Sequence, residues 1–280
     1  MSNWKDFFRT STFRFIDHSD PTSLPAAMAS FAVDDALAIA VGNNTSVSTV
    51  RLWVHEQTVV LGIPDARLPY VESGIDWLHS QGNRVVVRNS GGLAVALDTG
   101  VLNVSLILPD IKKVGIHDGY EAMVEFTKYL FKDLTNDIKA FEVKGSYCPG
   151  EYDLSIDGKK FAGISQRRVK NGTAVQIYLC VEGDGTERAE LIREFYHRGL
   201  NGEKGKFNYP SIKPETMKSL SQLLDIDLTI AEVRKRIIET INEFTEKMVS
   251  DDLTEDELVD FQKRMEQMID RNTKALGDLA

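Results

Sequence analysis

The sequence predicts an α/β protein of the α+β kind, with a body of about 210 residues and a helical C-terminal extension. Three observations carry that reading. Short Val- and Leu-rich runs alternate with segments of helical period through residues 24–181. From Lys213 onward only helical spacing remains. The composition, 42% hydrophobic and 27% charged over 280 residues, is that of a globular chain large enough to bury a core without a disulfide or metal staple. The texture changes at Asn208-Tyr209-Pro210, so residues 1–210 are expected as the body and 211–280 as an extension packed on it. No internal repeat or low-complexity linker interrupts either part.

Residues 24–40 are an Ala-rich run expected to be helical, with Pro25 in a first turn that tolerates it and Gly42 as the stop. Arg51–Leu61 reads as a strand with an internal turn, and Asp65–Gln81 as a helix ended by Gly82-Asn83. Arg84–Arg88 is a Val-rich strand running into Gly91-Gly92, followed by strands at Leu93–Leu97 and Leu102–Leu108. Met123, Phe126, Tyr129 and Leu130 give Asp118–Leu134 a helical face. Strands are expected at Ala140–Val143, Tyr152–Ile156, Lys160–Gln166 and Ala174–Val181, with Asn171-Gly172 as the hairpin signal between the last two. Met217–Leu224, Ile230–Met248 and Thr254–Ala275 read as helices, the last with Thr254 and Glu257 spaced as a capping box.

Charge and cysteine usage narrow the function classes. Lys and Arg total 33 against 42 Asp and Glu, a net charge of −9, which argues against general nucleic-acid binding. Cys148 and Cys180 alone make no disulfide framework, so a reducing cytosol is expected. Neither C-x-x-C nor H-E-x-x-H occurs. The start, Met1-Ser-Asn-Trp-Lys-Asp, lacks the apolar core of a signal peptide, and no run approaches the roughly 18 apolar residues of a spanning helix. A cytoplasmic protein without metal, membrane or nucleic-acid partner is the expectation.

Gly205-Lys206 is no phosphate loop, because Leu200 and Phe207 stand where a glycine and a Ser or Thr are required, and no G-x-G-x-x-G follows a strand. Three segments carry chemistry. Arg88-Asn89-Ser90-Gly91-Gly92-Leu93-Ala94-Val95 sets an arginine and two glycines between strands, which suits either close approach to a ligand or an ordinary tight turn. Tyr147-Cys148-Pro149-Gly150 is a turn that would leave its cysteine reachable, although free cysteines are more often buried and inert. Cys180 lies within a strand and is expected in the core. Lys160, twelve positions after Cys148, begins a small-residue strand, and a nearby ammonium favours the thiolate; the alternative is a solvated surface lysine. His117 and His197 have no spacing that ties them to Cys148.

Taken in order, these segments resemble the biotin/lipoate protein ligase and lipoyl-transferase superfamily, with matches from about Leu24 to Val181. Ala29–Leu37 resembles its first helix, Trp53-Val54-His55 through Gly62 its next strand pair, Arg88–Asp98 its arginine and double-glycine loop, followed by Gly100-Val101-Leu102-Asn103. Gly158–Gln166 resembles the segment of its reactive-site lysine, which falls on Lys160. The departures point to one branch. Val87 stands where ATP-using ligases carry a second arginine, the glycine run is shorter, and Leu97 replaces the histidine before Asp98. Cys148 stands in the loop where cysteine-dependent octanoyltransferases have theirs. The resemblance implies mixed β-sheets flanked by helices.

It further implies that an octanoyl group moves from a lysine of glycine cleavage H protein to a lysine of E2 lipoyl domains, with no cofactor. Cys148 and Lys160 would be catalytic, and Arg88, Ser90, Gly91, Gly92 and Gly163 would bind substrate. Lys160 would assist the Cys148 thiol and orient the acyl carbonyl, with backbone N–H groups near Gly91-Gly92 or Cys148 around the oxyanion. Val85, Val87, Val95 and Leu97 are candidate walls for the acyl chain, which core packing explains equally well, and the basic Arg167–Gly172 hairpin is a candidate docking face, although a solvated turn explains it better. Octanoyl-acyl carrier protein as donor, an ATP-dependent lipoate ligase, and a non-catalytic lipoyl-domain binder are the alternatives.

Overall fold

A computed structural model describes residues 5, 10, 12–24, 26–109 and 115–279; Pro25 and most of the first eleven residues lie outside that set. In chain order the elements are β1 (Thr12–His18), α1 (Ala27–Gly42), β2 (Thr49–Trp53), β3 (Thr58–Leu61), α2 (Val71–Ser80), β4 (Arg84–Val87), β5 (Val95–Leu97), β6 (Val101–Pro109), α3 (Ile116–Leu130), β7 (Lys139–Ala140), β8 (Leu154–Ile156), β9 (Lys159–Val169), β10 (Gly172–Cys180), α4 (Gly185–Leu200), α5 (Leu220–Leu224), α6 (Ile230–Phe244), β11 (Lys247–Ser250) and α7 (Glu255–Leu276). They form two sheets, one ordered β11-β1-β2-β6-β10-β9-β8-β7 and a smaller one ordered β4-β3-β5. Both are mixed: β1 pairs in parallel with β2 and β11, and β3 with β4, while the remaining pairs are antiparallel.

The alternation of side chains along the large sheet decides what lies on each face. Val50 and Leu52 of β2, Leu102, Val104 and Leu106 of β6, and Val175, Ile177 and Leu179 of β10 make one apolar core with Met123 and Phe126 of α3 and Val233 and Ile237 of α6. The opposite face carries Arg51, Ser105 and Gln176, all buried, under α1. Asp34 of α1 collects them: its carboxylate accepts from Arg51 Nε (2.8 Å), Ser105 Oγ (2.6 Å) and Gln176 Nε2 (2.6 Å). A helix buried on almost every side thus carries a carboxylate into the interior with its lone pairs satisfied.

Several expectations are corrected by long-range packing. Arg51–Leu61 is two strands in different sheets, β2 and β3. The helix expected over 65–81 is a 3-10 turn at Asp65–Arg67, then an extended Leu68 before Pro69, then α2. Strand 140–143 shortens to β7. Lys170 and Asn171 form the hairpin loop, Lys170 at φ +53°, while Gly172 already pairs with Val169. Met217–Leu224 is a 3-10 turn at Pro214–Thr216 followed by α5. The helix expected to Met248 stops at Phe244, and residues 247–250 become β11 on the free edge of β1. β1 and α4 were not foreseen, although Asp184 caps α4 through Thr186 N at 2.7 Å.

Residues 247–276 pack on α1 and, among other contacts, are tied to both sheets. β11 extends the large sheet. Glu257 closes the Thr254 capping box and also forms a buried ion pair with Arg14 of β1, Nη1 to Oε1 at 2.8 Å. Asn272 of α7 bonds Val87 N (2.7 Å) and Val87 O (3.1 Å), filling the edge of β4 one residue before Arg88.

Candidate active site

Beyond Val87 the chain turns, and Arg88 N is held by Leu61 O at 3.0 Å. The Arg88 side chain folds back over the glycines, its Nη2 donating to Leu93 O at 2.5 Å. Gly92 sits under it at φ +108°, where a Cβ would come within 2.2 Å of Arg88 Nη2 and 3.1 Å of Cys148 Sγ. Only glycine fits both that backbone conformation and that approach. Ser90 is buried with its hydroxyl unpartnered, and Gly91 opens onto the cavity described below. The turn is supported from behind: Ala94 N donates to Tyr196 OH (3.3 Å), which donates to Asp65 Oδ1 (2.8 Å), while Asp65 Oδ2 accepts from Gly62 N (2.8 Å). Burial pushes the Asp65 carboxyl up to about 6.

The second turn approaches the first through its sulfur. Cys148 adopts φ +44°, and its Sγ accepts from Leu93 N (3.1 Å) and Arg88 Nη2 (3.4 Å). A main-chain N–H and a guanidinium therefore converge on one sulfur. Lys160 reaches the same residue differently. Its side chain is 0% exposed, and Nζ donates to Cys148 O (2.7 Å), Tyr147 O (2.9 Å) and Asp153 Oδ1 (2.8 Å). The cation set against Sγ is therefore Arg88, and Lys160 grips the carbonyls on either side of the cysteine. Burial raises the Asp153 carboxyl, against the pull of Lys160. Lys159 points the other way, to Glu215 O at 2.6 Å.

Behind Cys148 lies a cavity of about 380 Å³ between the two sheets, of the size that holds small-molecule ligands. Its walls combine Val60, Val95 and Leu97 of the small sheet with Trp53 and Ile177 of the large one and Phe31 of α1. Val95 and Leu97 stand where the sequence suggested; Val85 and Val87 pack in the core and do not line the cavity, because alternation along β4 turns them away. Gly163 faces Tyr178 across the β9–β10 pair, and a Cβ there would lie 2.6 Å from the Tyr178 ring. That gap lets the ring lie flat in the wall, with its hydroxyl unpartnered.

The structure thus brings Arg88, Gly91, Gly92, Cys148 and Gly163 to one cavity, with Lys160 beneath it and Ser90 behind the turn. His117 lines the rim, bonded through Nδ1 to Tyr152 OH at 2.8 Å, whereas His197 is exposed on α4 beside Glu194. In the basic hairpin Arg167 is drawn inward to Asp35 at 3.0 Å, and Lys170 stays exposed. Asp153, Tyr196 and Asp65 were missed; no motif or spacing marks them, since each meets its partner through tertiary packing. Among the described residues no cluster of His, Cys, Asp or Glu could hold a metal ion, and no helix is long and apolar enough to cross a membrane.

A family model described as the lipoyl protein ligase A/B catalytic domain matches residues 26–242. The octanoyl-[GcvH]:protein N-octanoyltransferase of Oceanobacillus iheyensis is 55% identical over 276 residues, covering 97% of this chain and 99% of its own. The lipoyl-[GcvH]:protein N-lipoyltransferase of Listeria monocytogenes is 48% identical over 269 residues, 96% of this chain and 97% of its own. Among solved structures, lipoate-protein ligase A bound with ATP superposes with a TM-score of 0.72 at 19% identity, over 95% of this chain and 98% of that one. At that identity the likeness concerns the fold alone.

Proposed function

The chain belongs to the lipoyl protein ligase A/B catalytic-domain family, and from that premise we propose that it is a cysteine-dependent protein N-octanoyltransferase. It moves an octanoyl (or lipoyl) group from a lysine of glycine cleavage H protein to a lysine of E2 lipoyl domains, through a thioester on Cys148. The observation that carries this reading is a half-buried thiol held at the mouth of an apolar cavity by a main-chain N–H and a guanidinium.

The chemistry balances without nucleotide, because one secondary amide is broken and another made. The Cys148 thiolate attacks the donor amide carbonyl; the C–N bond breaks as its nitrogen takes one proton from solvent, and the donor lysine leaves as a neutral amine. The neutral acceptor lysine then attacks the thioester, its C–N bond forms, the C–S bond breaks, the thiolate returns and the amine's proton passes to solvent, so one proton is taken up and one released. Arg88 and the Leu93 N–H hold the thiolate. Gly91, Gly92 and Gly163 give the acyl carbonyl room beside the sulfur, Ser90 supports that turn, and Lys160 fixes the peptide units around Cys148. Residues 1–210 supply these groups and 211–280 pack on them. Two unpaired cysteines fit a cytoplasmic location.

The Listeria relative favours lipoyl as a second cargo. One experiment separates the readings: octanoyl- and lipoyl-H protein, octanoyl-acyl carrier protein, or octanoate with ATP and Mg²⁺ is offered with an unmodified lipoyl domain, and the product is weighed by mass spectrometry. Transfer from H protein without nucleotide, reversible when the modified lipoyl domain is offered back, is the expected outcome. A strict ATP requirement overturns it.

A further inference from the structure

We propose that Asp153 is a positioning residue for transfer: its carboxylate pins the Lys160 ammonium, and Lys160 in turn fixes the direction in which Cys148 presents its sulfur. The inference rests on the assignment of Cys148 as the acyl-carrying nucleophile.

An ammonium has three N–H donors. Those of Lys160 are all engaged, by Tyr147 O, Cys148 O and Asp153 Oδ1. Tyr147 O belongs to the peptide plane before the Cys148 Cα and Cys148 O to the plane after it. Holding both carbonyls on one point fixes φ and ψ of Cys148, and with them the Cα–Cβ bond that aims Sγ at Leu93 N and Arg88. The fixed φ is +44°, a region a cysteine rarely occupies unless its surroundings impose it.

That point is itself anchored by Asp153. Oδ1 takes the ammonium, Oδ2 accepts from Val143 N (3.2 Å), and Asp153 N donates to Gly150 O (3.1 Å). One residue therefore closes the loop 143–153 at both ends and supplies the carboxylate that faces a fully buried lysine. The other groups facing that ammonium are the rings of Tyr147 (5.9 Å) and Tyr178 (5.8 Å) and the thiol of Cys180. From the 214–218 segment the paired neighbour is Met217. None of these is a carboxylate. Without the Asp153 carboxylate the Lys160 side chain loses the anchor that sets Nζ between Tyr147 O and Cys148 O.

The test is Asp153→Asn, which keeps the shape and removes the charge. The expected result is a fall of about 100-fold in kcat with KM for the H-protein donor unchanged, as a misaimed nucleophile would give. Asp153→Glu should restore part of kcat. A loss that raises KM as much as it lowers kcat, an Asp153→Glu protein no better than Asp153→Asn, or no loss, overturns the proposal. Should Asp153→Asn not fold, Asp153→Asn is combined with Lys160→Met, removing both charges, and read as the iodoacetamide rate constant of Cys148. Within about twofold of Lys160→Met alone, the two residues act as one unit; a further independent loss overturns that. If the parent itself takes no acyl group on Cys148 from any donor, the underlying assignment fails, which is a separate outcome.

Discussion

Cys148 and Cys180 are the same functional group in opposite surroundings. Cys148 sits on a turn at positive φ, partly exposed at the cavity mouth, its sulfur met by Leu93 N and Arg88. Cys180 ends β10 with 0% exposure, its sulfur 3.7 Å from Tyr147 OH, and burial pushes its thiol up. The two are joined through Tyr147, which precedes Cys148 and plants its ring in the core against Cys180. The contrast between the two thiols is one of donors and access, and the buried one helps to anchor the turn that carries the other.

The largest expected effect comes from removing the reactive partner. Cys148→Ala should lower transfer at least about 1,000-fold, as loss of a covalent nucleophile does, with no change in thermal unfolding. Intact-mass analysis of the parent incubated with octanoyl-H protein should show one acyl adduct that vanishes in this variant. An adduct mapping to Cys180 would break the contrast outright.

Next comes the charge that distinguishes the two sites. Arg88→Gln removes the guanidinium 3.4 Å from Sγ and also its bond to Leu93 O. The rate of Cys148 alkylation by iodoacetamide at a fixed pH should fall, and transfer should fall about tenfold to 100-fold. Lys160→Ala in the same assay should act mainly on transfer, since its ammonium faces carbonyls. An alkylation rate that falls with Lys160→Ala and holds with Arg88→Gln would reverse the roles the geometry suggests.

How much of this was legible in the sequence follows from how local each signal is. The glycine pair after a Val-rich strand, the Cys-Pro-Gly turn and the Thr254–Glu257 box are local, and the structure has each of them where the spacing puts it. Contacts distant in sequence were not legible. Arg88 meets Cys148 across sixty positions, Asn272 completes β4, and Lys247–Ser250 leaves a helical pattern to pair with β1. Asp153 is only seven residues before Lys160, yet it meets that lysine because β8 and β9 pair antiparallel, which no composition rule states.

Acid should weaken the fold that holds the two thiols in their different places. His18 and His55 are pushed down to about 4, chiefly by burial and then by Arg51. The unfolded chain binds those protons more tightly, so their contribution is intact above about pH 6.5 and is lost as pH falls through about 4. Asp65, raised to about 6 by burial, has the opposite sign: its contribution is present below about pH 3.8 and lost as pH rises through about 6. Asp153, also raised by burial, acts with Asp65, but the downward moves of His18 and His55 are together the larger, so Tm should drop on acidification between about pH 6 and 4. His55→Asn should flatten the slope; a Tm that rises from pH 6 to 4 would show that the carboxylate governs.

The smallest effect on chemistry is expected at Cys180. Cys180→Ala removes one buried sulfur and the partner of Tyr147 OH, and should cost about 1–3 kcal/mol of stability. Transfer should stay within about threefold of the parent, because the Cys148 turn retains its other holds on Lys160, Leu93 and Arg88. Native alkylation should label the parent once and the denatured parent twice, and the variant once in both states. The informative result is a Cys180→Ala protein that is as stable as the parent yet loses most of its transfer. The turn would then depend on the phenol anchored at Cys180 more than on the ammonium beneath it, and the two thiols would be halves of one device instead of a contrast.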